Sequence, residues 1–191
     1  MFGKVKVYDG QEEITLSNGI RLRIRAVQPT DKQKILDGFR NLSSESRHLR
    51  FSAQKNVLTQ EELRYFTEFD SINHFALAAF EIDSQDQEGD CIGVARFIRI
   101  LDKANVAEVA LIVADARQRM GIGRLLLRRL LRAAAARDIQ RVRFFCLSYN
   151  EPIRSLIKHI FEDAKFRSED GITSGEFEIP AHVRLRLVDY A

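Results

Sequence analysis

Tryptophan is absent from this sequence of 191 residues, and cysteine, methionine and proline are scarce, with two, two and three residues respectively. So few cysteines exclude a disulfide-rich scaffold, and the low proline content, with ten glycines, excludes collagen-like and low-complexity chains. No Cys-x-x-Cys pair occurs and the four histidines lack metal-ligand spacing, so we expect no bound metal. Cys91 and Cys146 each stand within an apolar run and are predicted to be buried free thiols.

Long apolar segments are also missing. No stretch approaches the ~20 residues of a membrane-spanning helix, and the first residues lack the apolar core of a secretion signal. We therefore expect a cytoplasmic protein with no membrane partner. A composition of 45% hydrophobic and 30% charged residues is typical of one compact domain. We place that domain at residues 19–191, after an N-terminal extension of residues 1–18.

The formal net charge of +3 conceals an uneven distribution. Residues 117–143 contain nine arginines and a single acid, Asp138, whereas the remainder has 21 basic and 26 acidic residues. A concentrated basic segment indicates an anionic partner, which is a nucleic acid, a membrane surface or a phosphorylated small molecule. A nucleic acid is disfavoured because the segment has no interleaved aromatic residues for base stacking and no recognised binding motif.

Hydrophobic periodicity predicts an α+β protein built around a mixed sheet. Residues 20–26 alternate apolar and basic side chains, which is the pattern of a half-buried first strand. Thr59 and Glu62 satisfy the capping-box pattern at the start of a third helix. The acidic spacer 83–90 is predicted to be a solvated hairpin loop. The other predicted elements are helices near 31–39 and at 43–51, strands at 74–82, 91–101 and 106–113, a long helix at 121–136, a strand at 142–147, a helix at 151–161, and two last strands at 172–179 and 183–188.

The most informative segment is the turn that joins strand 106–113 to the long helix. It places Gly121 and Gly123 at a helix start, where unpaired N–H groups and the positive end of the helix dipole favour phosphate. Glycine lets a ligand approach the backbone closely, and Arg119 and Arg124 can add charge-assisted contacts. The structural alternative is an ordinary turn at a helix start.

Two common phosphate-binding motifs do not fit this turn. A P-loop requires Gly-x-x-x-x-Gly-Lys-Ser/Thr, which is absent, and the third glycine of a Rossmann fingerprint would fall at Leu126. Residues 113–123 instead contain Val-x-Asp and then Gln-x-x-Gly-x-Gly, which resembles the coenzyme A pyrophosphate motif of the GNAT acyltransferase superfamily. Segments 42–51, 93–96 and 107–110 further resemble the acetyltransferase domain of bacterial Pat-type protein-lysine acetyltransferases.

The resemblance implies the GNAT fold, an α+β domain whose mixed, mostly antiparallel sheet has a V-shaped splay and is flanked by helices. The strand matching 106–113 is expected to carry a bulge and to diverge from the strand matching 142–147, with the pantetheine arm of acetyl-CoA in the gap. The implied cofactor-binding residues are Ile112, Val113, Gln118, Arg119, Met120, Gly121, Ile122, Gly123, Arg124 and Asn150. Met120 departs from the basic residue that is frequent there in the family, and Asn150 is also an ordinary helix-cap candidate.

The arginines after this turn are predicted to lie mostly at solvated helix and strand positions. They are Arg128, Arg129, Arg132, Arg137, Arg141 and Arg143, whereas Leu126, Leu127, Leu130 and Leu131 are expected to face the core. Arg117 either reaches the ribose phosphate of the cofactor or lies on the surface. The basic segment is therefore assigned mainly to one pyrophosphate.

Glu108 is the candidate general base. A lysine ammonium has a pKa near ~10.4, so only about one molecule in 2,500 is the nucleophilic amine at pH 7, and a base relieves that limit. Glu108 is a carboxylate within an apolar run, and strand alternation gives it one face with Ala110 and Ile112. The resemblance agrees, because Pat-type domains carry their proposed base in the matching Ala-Glu segment. The structural alternative is a glutamate that faces solvent or pairs with Arg96.

These observations predict an N-acetyltransferase that moves an acetyl group from acetyl-CoA to a primary amine, with a protein lysine as the expected acceptor. Two alternatives are acetylation of a small amine or amino acid and a non-catalytic acyl-CoA-binding module. The module is considered because residues 155–161 lack the tyrosine that many family members use as a general acid. Association into a homodimer is left open.

Overall fold

The computed structural model describes residues 11–184 of the chain. Its strands and helices alternate in an order that matches the sequence pattern closely. In chain order they are β1 (Glu12–Thr15), β2 (Arg21–Ala26), α1 (Lys32–Arg40), α2 (Ser44–Phe51), α3 (Gln60–Thr67), β3 (His74–Ile82), β4 (Glu88–Ile100), β5 (Lys103–Val113), α4 (Ile122–Ala135), β6 (Arg141–Leu147), α5 (Glu151–Ile160), β7 (Arg167–Glu169), β8 (Ile172–Glu178) and α6 (Ala181–Arg184). None of the helices in this part of the chain is long and apolar enough to span a bilayer.

All strands belong to one eight-stranded sheet with the order β1-β2-β3-β4-β5-β6-β8-β7. Neighbouring strands are antiparallel except β5 and β6, which are parallel. A parallel pair needs a crossover connection, and α4 provides it between β5 and β6. The predicted α+β class and the mixed, mostly antiparallel sheet are therefore confirmed.

The sheet opens at the junction of β5 and β6. Their pairing covers only Val106–Val109 of β5 and 141–144 of β6, although both strands continue beyond it. Beyond that point β6 follows β8, with which it pairs through Leu147, while β5 follows β4. The predicted splay is therefore present. The predicted bulge is wrong, because the β4–β5 register is continuous over residues 107–113 and shifts only between Arg99 and Ile100.

Apolar side chains form one cluster on each face of the sheet. On the first face α4 buries Leu126, Leu127, Leu130 and Leu131 completely, as its periodicity predicts. On the second face Ile35 and Phe39 of α1 and Leu63 of α3 form a cluster with buried residues of β3 and with Cys91 of β4. The sheet is thus the middle layer of three, and α1, α2 and α3 lie on the face opposite α4.

Side chains cap two helix starts, and the cap at Thr59 confirms the predicted capping box. The Thr59 hydroxyl accepts from the Glu62 N–H at 3.1 Å, and the Thr59 N–H donates to the Glu62 carboxylate at 2.9 Å. The Ser43 hydroxyl likewise accepts from the Ser46 N–H at 3.0 Å at the start of α2. These bonds satisfy backbone donors that a helix cannot pair internally.

Three segments differ from the sequence predictions. Residues 12–15, assigned to the N-terminal extension, form edge strand β1 and pair with β2. Strand β7 was not predicted, because three exposed residues carry too little periodicity. The predicted strand at 183–188 is wrong at its start, where residues 181–184 are helical, and its remainder lies outside the described residues.

The acidic spacer is only partly a solvated loop. Glu88 belongs to β4, and its side chain is only 12% exposed. Its carboxylate accepts from the Arg25 guanidinium and from the Lys34 ammonium at 2.7 and 2.8 Å. Hydrogen bonding from Arg25 and Lys34 outweighs burial and lowers the pKa of Glu88 to about 2. The prediction of a wholly solvated spacer is therefore wrong at this residue.

Candidate active site

The turn between β5 and α4 has a strained backbone. Arg119 has a φ of 62° and Gly121 a φ of 82°, both in the left-handed region. This region suits Gly121, whereas it costs free energy at Arg119, and such strain is typical of functional turns. The first helical hydrogen bond of α4 runs from the Leu125 N–H to the Gly121 carbonyl at 3.0 Å. The backbone that precedes this bond is therefore free of helical pairing.

The backbone N–H groups of residues 119–124 have no hydrogen-bond acceptor within the described part of the chain. The first turn of α4 contains no acidic residue, and no side chain caps it. Such a row of donors at a helix start, with the positive end of the dipole, favours an anion. The predicted cofactor residues Met120, Gly121 and Ile122 thus offer main-chain donors rather than side-chain groups.

Gly123 has a different structural setting from Gly121. Its φ is not positive, and an added Cβ would meet Leu111 and Leu156 at ordinary contact distances of 3.4 and 3.5 Å. Neither backbone strain nor internal packing therefore requires glycine at this position. A close approach from outside the protein would explain it.

The side chains around the turn differ in how far they are engaged. The Arg119 side chain is exposed and has no polar partner among residues 11–184. Arg124 contacts the ring nitrogen Nε2 of His159 through Nη1 at 2.8 Å, and the Met120 sulfur accepts from Asn18 at 3.6 Å. Arg117 pairs with Glu81 on β3, which favours its surface interpretation.

The side-chain amide of Gln118 is hydrogen-bonded within the protein, although the residue is exposed. Its Nε2 atom donates to the Val113 carbonyl at 3.1 Å and to the Ser46 hydroxyl at 3.2 Å. Asp115 accepts from the Ser43 N–H at 2.9 Å and from the Ser46 hydroxyl at 2.7 Å. Burial opposes ionisation of Asp115, but the bonds from Ser43 and Ser46 prevail and lower its pKa. Sequence reasoning missed Ser43 and Ser46 as anchors of this turn.

The gap between β5 and β6 is bordered by the other predicted cofactor residues. Ile112 and Val113 lie in the part of β5 that is not paired with β6, so main-chain groups on that edge face the gap. Asn150 lies just after β6 and caps α5, accepting from the Ile153 N–H at 3.3 Å. The structure thus shows the capping role of Asn150, and its contact with a cofactor stays a prediction.

Glu108 lies on the paired half of β5, opposite Ile98 of β4. Its side chain is exposed, and within residues 11–184 its carboxylate makes no hydrogen bond or ion pair. The pairing with Arg96 is therefore not formed. Arg96 is opposite Ala110, so both lie on the same sheet face as Glu108.

Arg96 is buried and contacts the half-buried His74 on the sheet face that carries Glu108. Arg96 is 5% exposed, and its Nη1 lies 3.1 Å from His74 Nε2. Burial, and then the Arg96 charge, lowers the pKa of His74 to about 4, so the imidazole is neutral at physiological pH. His74 therefore accepts the hydrogen bond from Arg96 and holds its guanidinium in place.

Several arginines predicted to be solvated are buried. Arg129 is 9% exposed and forms a two-pronged pair with Glu12, both distances being 2.6 Å. Arg137 is 6% exposed, donates to the Ser71 carbonyl at 2.7 Å, and stacks over Phe75. The prediction is wrong for both residues. Arg141 and Arg143 contact Glu176. Four arginines of the basic segment are thus engaged by other groups of the protein.

Cys91 and Cys146 are buried free thiols, as predicted. Burial raises the pKa of Cys91 to about 12 and also raises that of Cys146. A thiol with a raised pKa is a poor nucleophile at neutral pH. Within the described residues, no group of three or more His, Cys, Asp or Glu side chains is arranged to hold a metal.

Comparison with known proteins identifies the family of this chain. The model of the acetyltransferase (GNAT) family matches residues 41–161, which include the turn, β5 and α5. The chain belongs to the GNAT family. Acetyltransferase Pat of Mycolicibacterium smegmatis is 31% identical over 158 residues, which is 82% of this chain and 45% of that protein. The chain thus spans less than half of this curated relative.

Solved structures share the same GNAT fold. The GNAT domain of S. lividans PAT matches with a TM-score of 0.78 and 26% identity, over 88% of this chain and 96% of that one. A Salmonella typhimurium protein with its cofactor acetyl-CoA matches with a TM-score of 0.64 and 18% identity, over 84% and 95% of the two chains. That second likeness shows the fold alone. The predicted family, its Pat-type character and acetyl-CoA as the acyl donor of the family are confirmed.

Proposed function

We propose that this GNAT protein is an N-acetyltransferase that transfers the acetyl group of acetyl-CoA to a primary amine, with a protein lysine as acceptor and Glu108 as general base. The observation that carries the proposal is the unpaired row of N–H groups at residues 119–124. This row stands at one end of the open gap between β5 and β6, and Glu108 lies on the same strand β5.

The donor site is assigned to main-chain groups. The N–H groups of residues 119–124 bind the pyrophosphate, and the exposed Arg119 and the nearby Arg124 add positive charge. The open edge of β5 at Ile112 and Val113 holds the pantetheine arm and supplies an N–H group to the oxyanion. Asn150 borders the opposite side of the gap.

Glu108 is assigned the removal of a proton from the acceptor amine. Its carboxylate is exposed and has no internal partner in residues 11–184, so it is available to a substrate. The neutral amine attacks the thioester carbonyl, the C–N bond forms, and the C–S bond breaks. A thiolate with a pKa near ~8.5 then takes its proton from water, so no tyrosine is required on α5.

The similarity of this sequence to acetyltransferase Pat favours a protein lysine as acceptor. The structural similarity to the GNAT domain of S. lividans PAT supports the same acceptor. Release of coenzyme A thiol is measured with acetyl-CoA and either lysine-containing proteins or a panel of small amines. Turnover only with proteins supports the proposal, and turnover only with small amines overturns the acceptor class. Binding of coenzyme A without turnover identifies a binding module.

The role of Glu108 is tested with Glu108→Gln and a matched control. We expect kcat to fall at least about a hundredfold, which is the usual contribution of a general base, while coenzyme A affinity is retained. Glu169→Gln changes an exposed strand glutamate on β7, far along the sheet from β5, and should leave both values unchanged. Unchanged kcat in Glu108→Gln would remove Glu108 from the mechanism.

A further inference from the structure

An apolar cavity lies on the sheet face that α1, α2 and α3 cover, between these helices and strands β4 and β5. Its volume is about 60 Å³, enough for a few water molecules or a short substrate chain. Its walls include Phe39, Phe51, Phe66, Val94, Ala110 and Ile112. Two charged side chains, Arg50 and Arg96, also line it.

Arg96 brings a buried positive charge to this cavity. Its polar contacts are His74 Nε2 at 3.1 Å and the Phe66 carbonyl at 3.5 Å, and its guanidinium lies 4.3 Å from the centre of the Phe66 ring. No carboxylate pairs with it in residues 11–184. Burying a charge without an ionic partner raises the free energy of the protein. Binding of an anion at this site would therefore be favourable.

Arg50 adds a second positive charge to the same cavity. Its guanidinium lies over the Phe51 ring at 5.1 Å and has no hydrogen bond or ion pair within the described residues. Burial lowers the pKa of Arg50, and the negative charge of Glu108 opposes that effect. After burial, the nearby Arg50 charge is the main cause that lowers the pKa of Arg96. The two guanidinium groups therefore repel each other unless an anion lies between them.

The register between β4 and β5 places Arg96 close to the proposed general base. Arg96 is opposite Ala110, which lies two residues from Glu108 and two from Ile112. Two residues of strand span roughly 7 Å. The pair thus lies between the proposed base and the strand edge assigned to the donor, within reach of a short substrate.

We propose that Arg50 and Arg96 bind a carboxylate of the substrate, so that the enzyme selects a substrate with a carboxylate a few bonds from the reacting carbon or nitrogen. This inference rests on the proposed acyl transfer. A carboxylate can accept charge-assisted bonds from both guanidinium groups and relieve their repulsion. It can come from a dicarboxylic acyl group of the donor or from an acidic group beside the acceptor amine. The bonds made and broken at the thioester are the same in both cases.

Two experimental arms distinguish the sources. The donor arm compares succinyl-CoA with butyryl-CoA, which has a neutral chain of the same carbon number, on one lysine peptide. The acceptor arm uses acetyl-CoA and compares a lysine peptide carrying a neighbouring aspartate with its asparagine counterpart. We expect kcat/KM to favour the carboxylate form by at least about tenfold in one arm, the effect of one charge-assisted hydrogen bond.

Variants locate this preference in the cavity. In Arg50→Gln, the ratio of kcat/KM for the carboxylate substrate to kcat/KM for its neutral counterpart should fall towards one. Arg40→Gln, which removes an exposed arginine of α1 paired with Asp37, should keep the wild-type ratio. Equal kcat/KM values in both arms of the wild-type protein, with normal acetyl transfer, would overturn the subsite and leave the proposed function standing.

A binding measurement separates the subsite from catalysis. Arginine Nε–H NMR signals are followed while succinate or neutral succinamide is added to the wild-type protein. We expect two arginine signals to shift with succinate only, and one of them to be missing in Arg50→Gln. If no acyl pair releases thiol, the proposed function fails while this titration still decides the subsite. No shift of arginine signals with succinate would overturn the subsite. This comparison needs only the wild-type protein.

Discussion

The Nε2 atom of Gln118 donates a hydrogen bond to the hydroxyl of Ser46, 72 positions earlier in the chain. This bond joins the turn before α4 to the N-terminus of α2, and Asp115 extends the contact through Ser43. The proposed donor turn is thus tied to α2, the helix that also carries Arg50 of the cavity.

Replacing Gln118 with alanine should weaken coenzyme A binding by about three- to tenfold and lower the free energy of unfolding by about 1 kcal/mol. The reason is the loss of hydrogen bonds that anchor the turn. Calorimetric titration and urea unfolding measure the two effects. Gln85→Ala, in an exposed loop, is the matched control and should change neither. Wild-type affinity in Gln118→Ala would show that the turn keeps its shape without this bridge.

The two glycines of the turn should respond differently to alanine. Gly121→Ala forces a left-handed alanine, which costs about 1–2 kcal/mol, so the melting temperature should fall. Gly123→Ala should leave the melting temperature unchanged, because its Cβ makes ordinary contacts. Its coenzyme A affinity should nevertheless fall at least about tenfold, since the Cβ hinders the approach of the pyrophosphate. Unaltered affinity of Gly123→Ala would argue that no ligand approaches this point.

Glu88 should make stability depend on acid pH. Its pKa in the folded protein, about 2, is below the ordinary value of 4.5, because Arg25 and Lys34 stabilise the charged form. Its contribution, about 3 kcal/mol, is therefore complete above pH 4.5 and is lost as the pH falls towards 2. Urea unfolding of wild type and Glu88→Gln should show a large stability difference at pH 6 and a smaller one at pH 3.

The control for Glu88 is Glu68→Gln. Glu68 pairs with Lys32 at an exposed site, where ion pairs contribute little. Its difference from wild type should be small at both pH values. A Glu88→Gln difference that does not shrink between pH 6 and pH 3 would contradict the assigned ion pairs.

Glu12 should stabilise the sheet edge through Arg129. Glu12→Gln removes the carboxylate that accepts two hydrogen bonds from the buried guanidinium of Arg129, and we expect a loss of about 1–3 kcal/mol in the free energy of unfolding. Glu13→Gln, on the same strand, removes contacts with the more exposed Arg21 and Arg23 and should cost less than about 1 kcal/mol. Equal losses would mean that the Arg129 pair has no special weight and that β1 is peripheral to the domain.

Much of the candidate site could be predicted from the sequence because its residues are close to one another along the chain. The strand before the turn, Gly121 and Gly123 at the helix start, and Glu108 within an apolar run are close neighbours along the chain. Their backbone conformations and strand faces follow from short-range rules of turns and alternation. The same holds for the capping box at Thr59, whose two bonds span only three residues.

The other contacts of the site could not be predicted from the sequence, because the residues that form them are far apart along the chain. Arg50 on α2 meets Arg96 on β4 only when α2 packs against the sheet, and no local pattern marks either residue. Ser46 reaches Gln118 for the same reason. No bulge interrupts the pairing of β5 with β4 over residues 107–113, and the splay instead arises because β5 follows β4 while β6 follows β8.

The sequence by itself determined the α+β class, the helix-start turn, the buried cysteines and the placement of Glu108 on one face of β5. Only the tertiary structure decided what each charge meets. Arg129 became an interior ion-pair donor and Arg137 an interior hydrogen-bond donor. Glu88 became a partly buried partner of Arg25. Arg50 and Arg96 came to line one cavity, and no carboxylate of residues 11–184 pairs with either of them. The sequence shows which residues are charged. Which opposite charge each one contacts depends on how distant segments pack together, and that packing is a property of the whole fold.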